Sequence, residues 1–369
     1  MKIYTVTYLN TNYGSVMQAY ALQKKLIEYG ATPVIALREV QGNRLLKKAK
    51  KYFGFVKPRK HYTLMMRFKT ENLQRWKYKE KIRKLNDFIH DNINTITVRN
   101  STELVQLIEN DTILLAGSDQ IWSMINGKLS DWYTYNFSNI PKNITKVSYA
   151  ASVGLSVLSD EQIGEYCRKL NKFSYISFRE EQTRECLKKY LQCPVRCDID
   201  PTLLYDESFW GKIASERKCE KPYVFVYMLR PDKKLIDMAK EIARKKNCDI
   251  YYTGLLPDRF KGVNTVYNAG INDFLSYIKY ADYVITNSFH GTVFSIVFKR
   301  QFVNVEIAST STRAMNLLKI AHIEDRMISS MDELKVLESK IDYSKVDSFI
   351  DMKRKESIEY IKHICSITE

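Results

Sequence analysis

The apolar run Val284-Ile285-Thr286 gives way to Asn287-Ser288-Phe289-His290-Gly291-Thr292 and then to a second apolar run, Val293–Phe298. That order reads as strand, tight loop and buried helix, with His290 at the strand's carboxyl end and near the first turn of the helix. An imidazole held at such a junction, beside two hydroxyls and an amide, can serve as acid, base or anion donor near neutral pH. A helix N-terminus favours anions, and open α/β sheets bind ligands at this edge. A capping or core histidine has the same local pattern. Two further polar residues end apolar runs: Arg179 after Tyr175–Phe178, and Asp119 after Thr112–Ala116 and Gly117-Ser118. Arg179 precedes Glu180 and Glu181, so a surface ion pair is its plain alternative. For Asp119 that alternative is a helix N-cap. Asp200, before Pro201, reads as a turn former.

The elements that must position these side chains alternate. Strand Lys2–Tyr8, a loop with Asn12-Tyr13-Gly14-Ser15 as turn and cap residues, helix Val16–Tyr29 and strand Ala31–Leu37 make a βαβ opening. No G-x-G-x-x-G accompanies it, so a dinucleotide fingerprint is not supported. Helix Thr102–Ile108 and strands Thr112–Ala116 and Lys146–Ala150 follow. Next come a Ser-capped helix Ser159–Asn171, strand Tyr175–Phe178, helix Glu181–Tyr190 and strand Val195–Asp198. The pattern is interrupted between Tyr205 and Lys221 and restarts at Tyr223–Met228, running through helices and strands to Phe302–Val305. Such alternation predicts parallel sheets with helices on both faces in each half. The domains expected are 1–205, with a helical insertion at 44–84, and 221–345. A last helix at 346–364 would pack back across the junction.

The chain has 369 residues, suiting two domains, and its 45% hydrophobic and 27% charged content is that of a folded protein. The net charge of +16 is concentrated. Residues 44–84 hold 16 of the 58 Lys and Arg but two of the 42 acids, Glu71 and Glu80, so the remainder is nearly neutral. Aromatic and aliphatic side chains interleave with these charges, a pattern suited to an anionic membrane surface and equally to a solvated helical pair on the first domain. Nucleic acid is disfavoured as a partner, because no recognised binding motif accompanies the charge. No run approaches the ~18 apolar residues of a membrane span. The first residues enter a strand directly, without a signal-peptide pattern, and seven scattered cysteines suit reduced thiols. The expected location is the cytoplasm, with peripheral attachment to the inner membrane face through 44–84. No metal-ligand cluster is visible.

Seven segments occur in order between residues 12 and 326: NYGSVMQAYALQKKL, LLAGSDQIW, VSYAASVG, ISFREEQTRECLKKYL, DIDPTLL, ITNSFHGTVFSIVFKRQFVNV and STRAMNLLKIAHIEDR. Together they resemble the polysaccharide pyruvyl transferase family. The resemblance implies a GT-B-like fold of two Rossmann-like domains facing a cleft. It also implies transfer of pyruvate from phosphoenolpyruvate to two hydroxyls of a sugar, forming a cyclic ketal on a surface polysaccharide or its lipid-linked precursor. No cofactor is expected, since phosphoenolpyruvate is a donor substrate. His290 matches the family histidine that binds donor and acts as acid, and Arg179 an arginine on the donor's phosphate or carboxylate. Some branches carry Arg-x-His where this chain has Ser288-Phe289-His290, and Arg313 is the expected replacement. Ser288 and the backbone N–H groups of Gly291 and Thr292 would hold the phosphate. Asn12, Tyr13 and Gly14 fall on the acceptor side, with Asp119 as general base. A GT-B glycosyltransferase using a nucleotide sugar is the alternative reading.

Overall fold

The computed structural model describes residues 1–39, 64–155, 157–255, 259–306 and 311–367. Strands β1 (Lys2–Val6), β2 (Thr32–Arg38), β3 (Thr95–Val98), β4 (Thr112–Asp119), β5 (Thr145–Ala151), β6 (Ile176–Phe178) and β7 (Val195–Cys197) form one parallel sheet in the order 3-2-1-4-5-6-7. A second contains β8 (Tyr223–Met228), β9 (Asp249–Gly254), β10 (Asn264–Thr265), β11 (Tyr283–Thr286), β12 (Gln301–Val305) and β13 (Met327–Ile328), in the order 10-9-8-11-12-13. Both sheets are therefore doubly wound, the α/β architecture expected from the alternation. The central strands read as continuous apolar runs because helices cover both of their faces; all six residues of β8 are buried.

Strand order reverses between β1 and β4 and again between β8 and β11, and ligands of such sheets bind outside the carboxyl ends at that reversal. Register sets what meets there. Val6 lies beside Ala116, while Thr286 pairs with Tyr227 on one side and Asn304 on the other. The strands that sequence periodicity did not reveal, β3, β10 and β13, are short edge strands. Two to four residues leave no alternation to detect.

The first helix, Tyr13–Glu28, starts three residues before the expected Val16, because the Asn12 side chain accepts from the Gly14 N–H at 3.2 Å. It is buried almost throughout its first three turns, since the second domain covers the face the sheet leaves open. Tyr13 stacks on Phe274 with centroids 4.4 Å apart, and its hydroxyl donates to the Ala269 carbonyl at 2.8 Å. One apolar cluster consequently runs through both domains, including Val16, Met17, Trp210, Phe274, Phe294 and Ile361. The interrupted stretch after Tyr205 is a packed joint. Its helix, Glu207–Ile213, buries Trp210, whose indole N–H donates to the Thr202 carbonyl at 2.9 Å.

Two helices tie the domains together. The basic segment ends in a helix over Leu64–Asn92, far longer than the expected Ile82–Ile89; the stretch of expected charges at 44–63 lies outside the described residues. Its later turns reach the second domain. Lys84 pairs with Asp273 at 3.0 Å, Glu80 accepts from Asn268 at 3.0 Å, and Lys81 donates to the Gly254 carbonyl at 2.7 Å. This part of the insertion is thus an interdomain strap, which is why its charges did not mark a solvated face alone. The final helix, Tyr343–Ser366, begins on the second domain, with the Tyr343 hydroxyl on the Arg300 carbonyl. It ends on the first, where the Tyr360 hydroxyl donates to Ser148 at 2.9 Å. No helix among the described residues is long and apolar enough to cross a membrane.

Candidate functional site

His290 stands in the first turn of a helix over Phe289–Val297, one turn earlier than the sequence pattern suggested, because Ser288 caps that helix. The helix is buried on every side, and part of its cover comes from across the domain interface. There Gly14 faces the imidazole: a Cβ on Gly14 would come within 2.0 Å of His290 Nδ1. The other ring nitrogen, Nε2, points to Asp200 Oδ2 at 3.7 Å, too far for a hydrogen bond, and has no hydrogen-bond partner among the described residues.

Asp200 is also the partner of Arg179. The guanidinium follows β6, placed by its backbone N–H on the Ala151 carbonyl, and its Nη1 lies 2.5 Å from Asp200 Oδ2. Phe289 lies under it, ring centroid 4.6 Å from Cζ, and Asn316 donates to its backbone carbonyl at 3.2 Å. Nε is 3.7 Å from Glu180 and Nη2 is 4.0 Å from Asp119, and neither nitrogen has a hydrogen-bond partner among the described residues. Among the described residues two buried Arg179 nitrogens and His290 Nε2 are thus left without a hydrogen-bond partner, around the Asp200 carboxylate they share. Such groups are costly to leave unsatisfied.

Charge is balanced locally. Burial would raise the Asp200 carboxyl, but the charges of His290 and Arg179 and the Thr202 hydroxyl hold it well below the usual carboxylate range. Burial works against the Arg179 cation too, and Asp200, Glu180 and Asp119 overcome it, raising its pKa. Arg313, on the helix Ser311–Ile320, lines the same small cavity with Arg179, Asp200, Phe289 and Asn316. Its pKa is lowered, first by burial and then by the Arg179 charge. Arg179 is 4% and His290 6% exposed, whereas Arg313 is half-buried, so the cavity opens on the Arg313 side. It has room for about one water molecule as it stands. Larger clefts lie elsewhere. The one between Leu203, Ile296 and the final helix is lined by charges already paired, Lys299 with Asp347 at 2.8 Å and Arg354 with Asp351.

The remaining residues singled out in the sequence are distributed as follows. Asp119 closes β4 in the left-handed region (φ 71°), accepts from the Gln120 N–H at 2.8 Å and faces Arg179; it caps no helix. Ser288 and Gly291 do not offer a free anion nest. The Ser288 hydroxyl accepts from the Gly291 N–H at 3.4 Å, the Thr292 N–H donates to the Ser288 carbonyl, and all three residues are buried. The Gly291 and Thr292 amides are thus both taken up by Ser288. Asn12, Tyr13 and Gly14 form a joint between domains rather than an open acceptor wall, since Tyr13 is wholly buried, Gly14 meets His290 and Asn12 lies 3.3 Å from the Tyr227 hydroxyl. Asp200, Phe289 and Asn316 were not singled out as site residues. An acid three residues beyond β7, just before Pro201, was the available signal for Asp200; Phe289 and Asn316 are brought there only in three dimensions.

Comparison with curated protein sequences gives no match. Among solved structures the chain is similar to UDP-N-acetylglucosamine 2-epimerase from Rickettsia bellii, with TM-score 0.52 and 11% identity, covering 99% of this chain and 98% of that one. It is equally similar to Arabidopsis thaliana UGT89C1, with TM-score 0.52 and 8% identity, covering 99% of each chain. These likenesses are of fold, the GT-B arrangement. The family model described as polysaccharide pyruvyl transferase matches residues 12–309, from the helix that carries Gly14 to the strand beyond His290, and the chain belongs to that family.

Proposed function

We propose that this transferase moves pyruvate from phosphoenolpyruvate to two hydroxyls of a sugar, forming a cyclic ketal on a polysaccharide or its lipid-linked precursor. The observation that supports the reading is a buried Arg179 guanidinium, two of whose nitrogens lack an acceptor among the described residues, lining one cavity with Arg313 and facing the same Asp200 carboxylate as His290. Phosphate and carboxylate on a three-carbon donor match that demand. In the proposed reaction one sugar hydroxyl oxygen bonds to the enol carbon as the methylene carbon takes a proton from His290. The second hydroxyl oxygen then replaces phosphate, whose C–O bond breaks with the electron pair leaving on oxygen. Of the two hydroxyl protons lost, one is made up in the new methyl group and the other leaves with phosphate. Asp119, facing Arg179, is placed to accept a hydroxyl proton. No cofactor or metal enters this sequence. The donor does not fit the cavity as it stands, so its entry from the Arg313 side requires local widening, with its anionic groups competing against Asp200 for Arg179. The basic segment is offered as the contact with an anionic membrane carrying a lipid-linked acceptor, which would keep the enzyme at the inner membrane face.

Two measurements test the reading. Phosphoenolpyruvate should raise the thermal unfolding midpoint where nucleotide sugars do not, and phosphate release from it should depend on a glycan acceptor. Protection by a nucleotide sugar alone would instead favour glycosyl transfer, which shares the fold.

A further inference from the structure

The carboxyl edge of the first sheet carries a feature that the donor centre does not use. Tyr8, two residues beyond β1, and Tyr133, in the loop after β4, meet edge to face with centroids 4.9 Å apart and planes at 63°. Both are half-buried and pack against the rim of the first domain's own core. Their backbones are held. The Tyr8 carbonyl accepts from Ser15 Oγ at 2.8 Å and Gln18 Nε2 at 3.3 Å, and the Tyr133 carbonyl accepts from the Trp122 indole at 3.0 Å. The Thr7 hydroxyl, beside Tyr8, donates to the carbonyl of Ser118 at the end of β4 at 2.8 Å.

Polar groups gather at the same rim. Burial raises both phenols first; the Asp119 charge follows for Tyr8, and for Tyr133 the Tyr8 phenol and then Asp119 add to it. Gln120 lies across Gly154, where a Cβ would come within 1.9 Å of its Nε2; the glycine leaves space for the amide. Asp119 in turn stands 4.0 Å from Arg179, which joins the aromatic pair to the cationic centre. Two rigid aromatic rings beside a carboxylate and an amide meet the two faces of a sugar: C–H groups on the rings, hydroxyls on the polar atoms.

We propose that Tyr8 and Tyr133 form the platform for the acceptor's pyranose ring, with Asp119 and Gln120 receiving its hydroxyls and turning a pair of them toward Arg179. The proposal rests on the pyruvyl-transfer reading for what the sugar meets at Arg179. The platform itself is a carbohydrate subsite and is testable separately.

The test is saturation-transfer-difference NMR on the full chain with methyl glucoside, methyl galactoside and methyl N-acetylmannosaminide as probes, each together with phosphoenolpyruvate. Signals are expected at pyranoside ring protons for at least one probe and at the donor's vinyl protons. Tyr8→Ser and Tyr133→Ser should each cut the pyranoside signal at least about five-fold while the vinyl signal persists and reports an intact donor centre. Tyr133→Leu, which keeps the apolar volume at the core rim, should behave as the serine variant, and Tyr133→Phe should retain most of the signal. Undiminished pyranoside signals in the variants, or none in the wild type, overturn the platform. Loss of the vinyl signal in the wild type with pyranoside signals kept overturns the pyruvyl reading and leaves the platform standing.

Discussion

Gly14 of the first domain and His290 of the second occupy one space: the imidazole fills the volume where a Gly14 side chain would be, with Nδ1, Cγ and Cε1 at 2.0, 2.3 and 2.6 Å from the Cβ position. The glycine in the amino-terminal motif and the histidine in the carboxyl-terminal one are therefore two halves of one contact. Gly14→Ala should favour the helix locally by up to about 1 kcal/mol and yet destabilise the protein by about 1–3 kcal/mol, the cost of overpacking a filled site. Turnover should fall about 100-fold, as expected when a reacting group is displaced by about 1 Å. Chemical denaturation and steady-state kinetics on the purified variant check both. Wild-type activity in Gly14→Ala would show that His290 tolerates displacement and does no chemistry at that position.

Asp200 holds Arg179 and His290 together, and its loss should be felt in both stability and pH dependence. Asp200→Asn leaves the buried Arg179 cation without its paired carboxylate, a change of the kind that costs about 3–5 kcal/mol. The sign with pH follows from the depressed carboxyl. A carboxylate whose folded pKa lies below its unfolded one contributes stability above the ordinary 3.8, and that contribution is lost as pH falls through the folded value. The gap in unfolding free energy between wild type and Asp200→Asn should thus be full at neutral pH and shrink below about pH 4. A gap that does not change with acidification would mean Asp200 is not the paired carboxylate described.

Much of this was legible in the chain, and the remainder fails for definable reasons. Apolar runs located the central strands, because burial on both faces leaves continuous signatures, and they put Arg179 and His290 at carboxyl ends. The runs could not show that Arg179, from one sheet, and His290, from the other, share Asp200, since that pairing spans the domain joint. Tyr13 and Gly14 read as open loop residues because a covering domain leaves no local trace. The basic segment misleads for a related reason: Lys81 and Lys84 look like surface charges until the second domain supplies Gly254 and Asp273 as partners.

Arg313 is the cation on the open side of the cavity, so it should govern donor capture more than fold. Arg313→Ala is expected to weaken phosphoenolpyruvate protection against thermal unfolding at least tenfold in apparent affinity, in the range of a charge-assisted bond to an anion. Arg313→Lys should recover only part, because an ammonium cannot offer the planar pair of donors. Calorimetric titration of each variant with phosphoenolpyruvate decides this; equal affinity in Arg313→Ala removes Arg313 from the donor site.

Lys81 supplies the last expectation, at the strap between domains. Its ammonium is 1% exposed, donates to the Gly254 carbonyl at 2.7 Å and sits 4.4 Å from the centroid of the Tyr13 ring. Burial lowers its pKa from 10.5 to about 7. Between those values the unfolded chain holds a proton that the folded chain has released, so stability should rise with pH across that window. Below pH 7 the folded protein carries the buried charge, and the interface bears its full desolvation cost. Lys81→Met keeps the aliphatic stem and removes the titrating group. The variant should therefore be more stable than wild type near neutral pH, less the effect of an unpaired Gly254 carbonyl, and its stability should not climb with pH in the same way. Urea unfolding at intervals between pH 7 and pH 10 measures the slope directly. Parallel curves for wild type and Lys81→Met would show that Lys81 keeps an ordinary pKa, with water reaching the interface between the lobes.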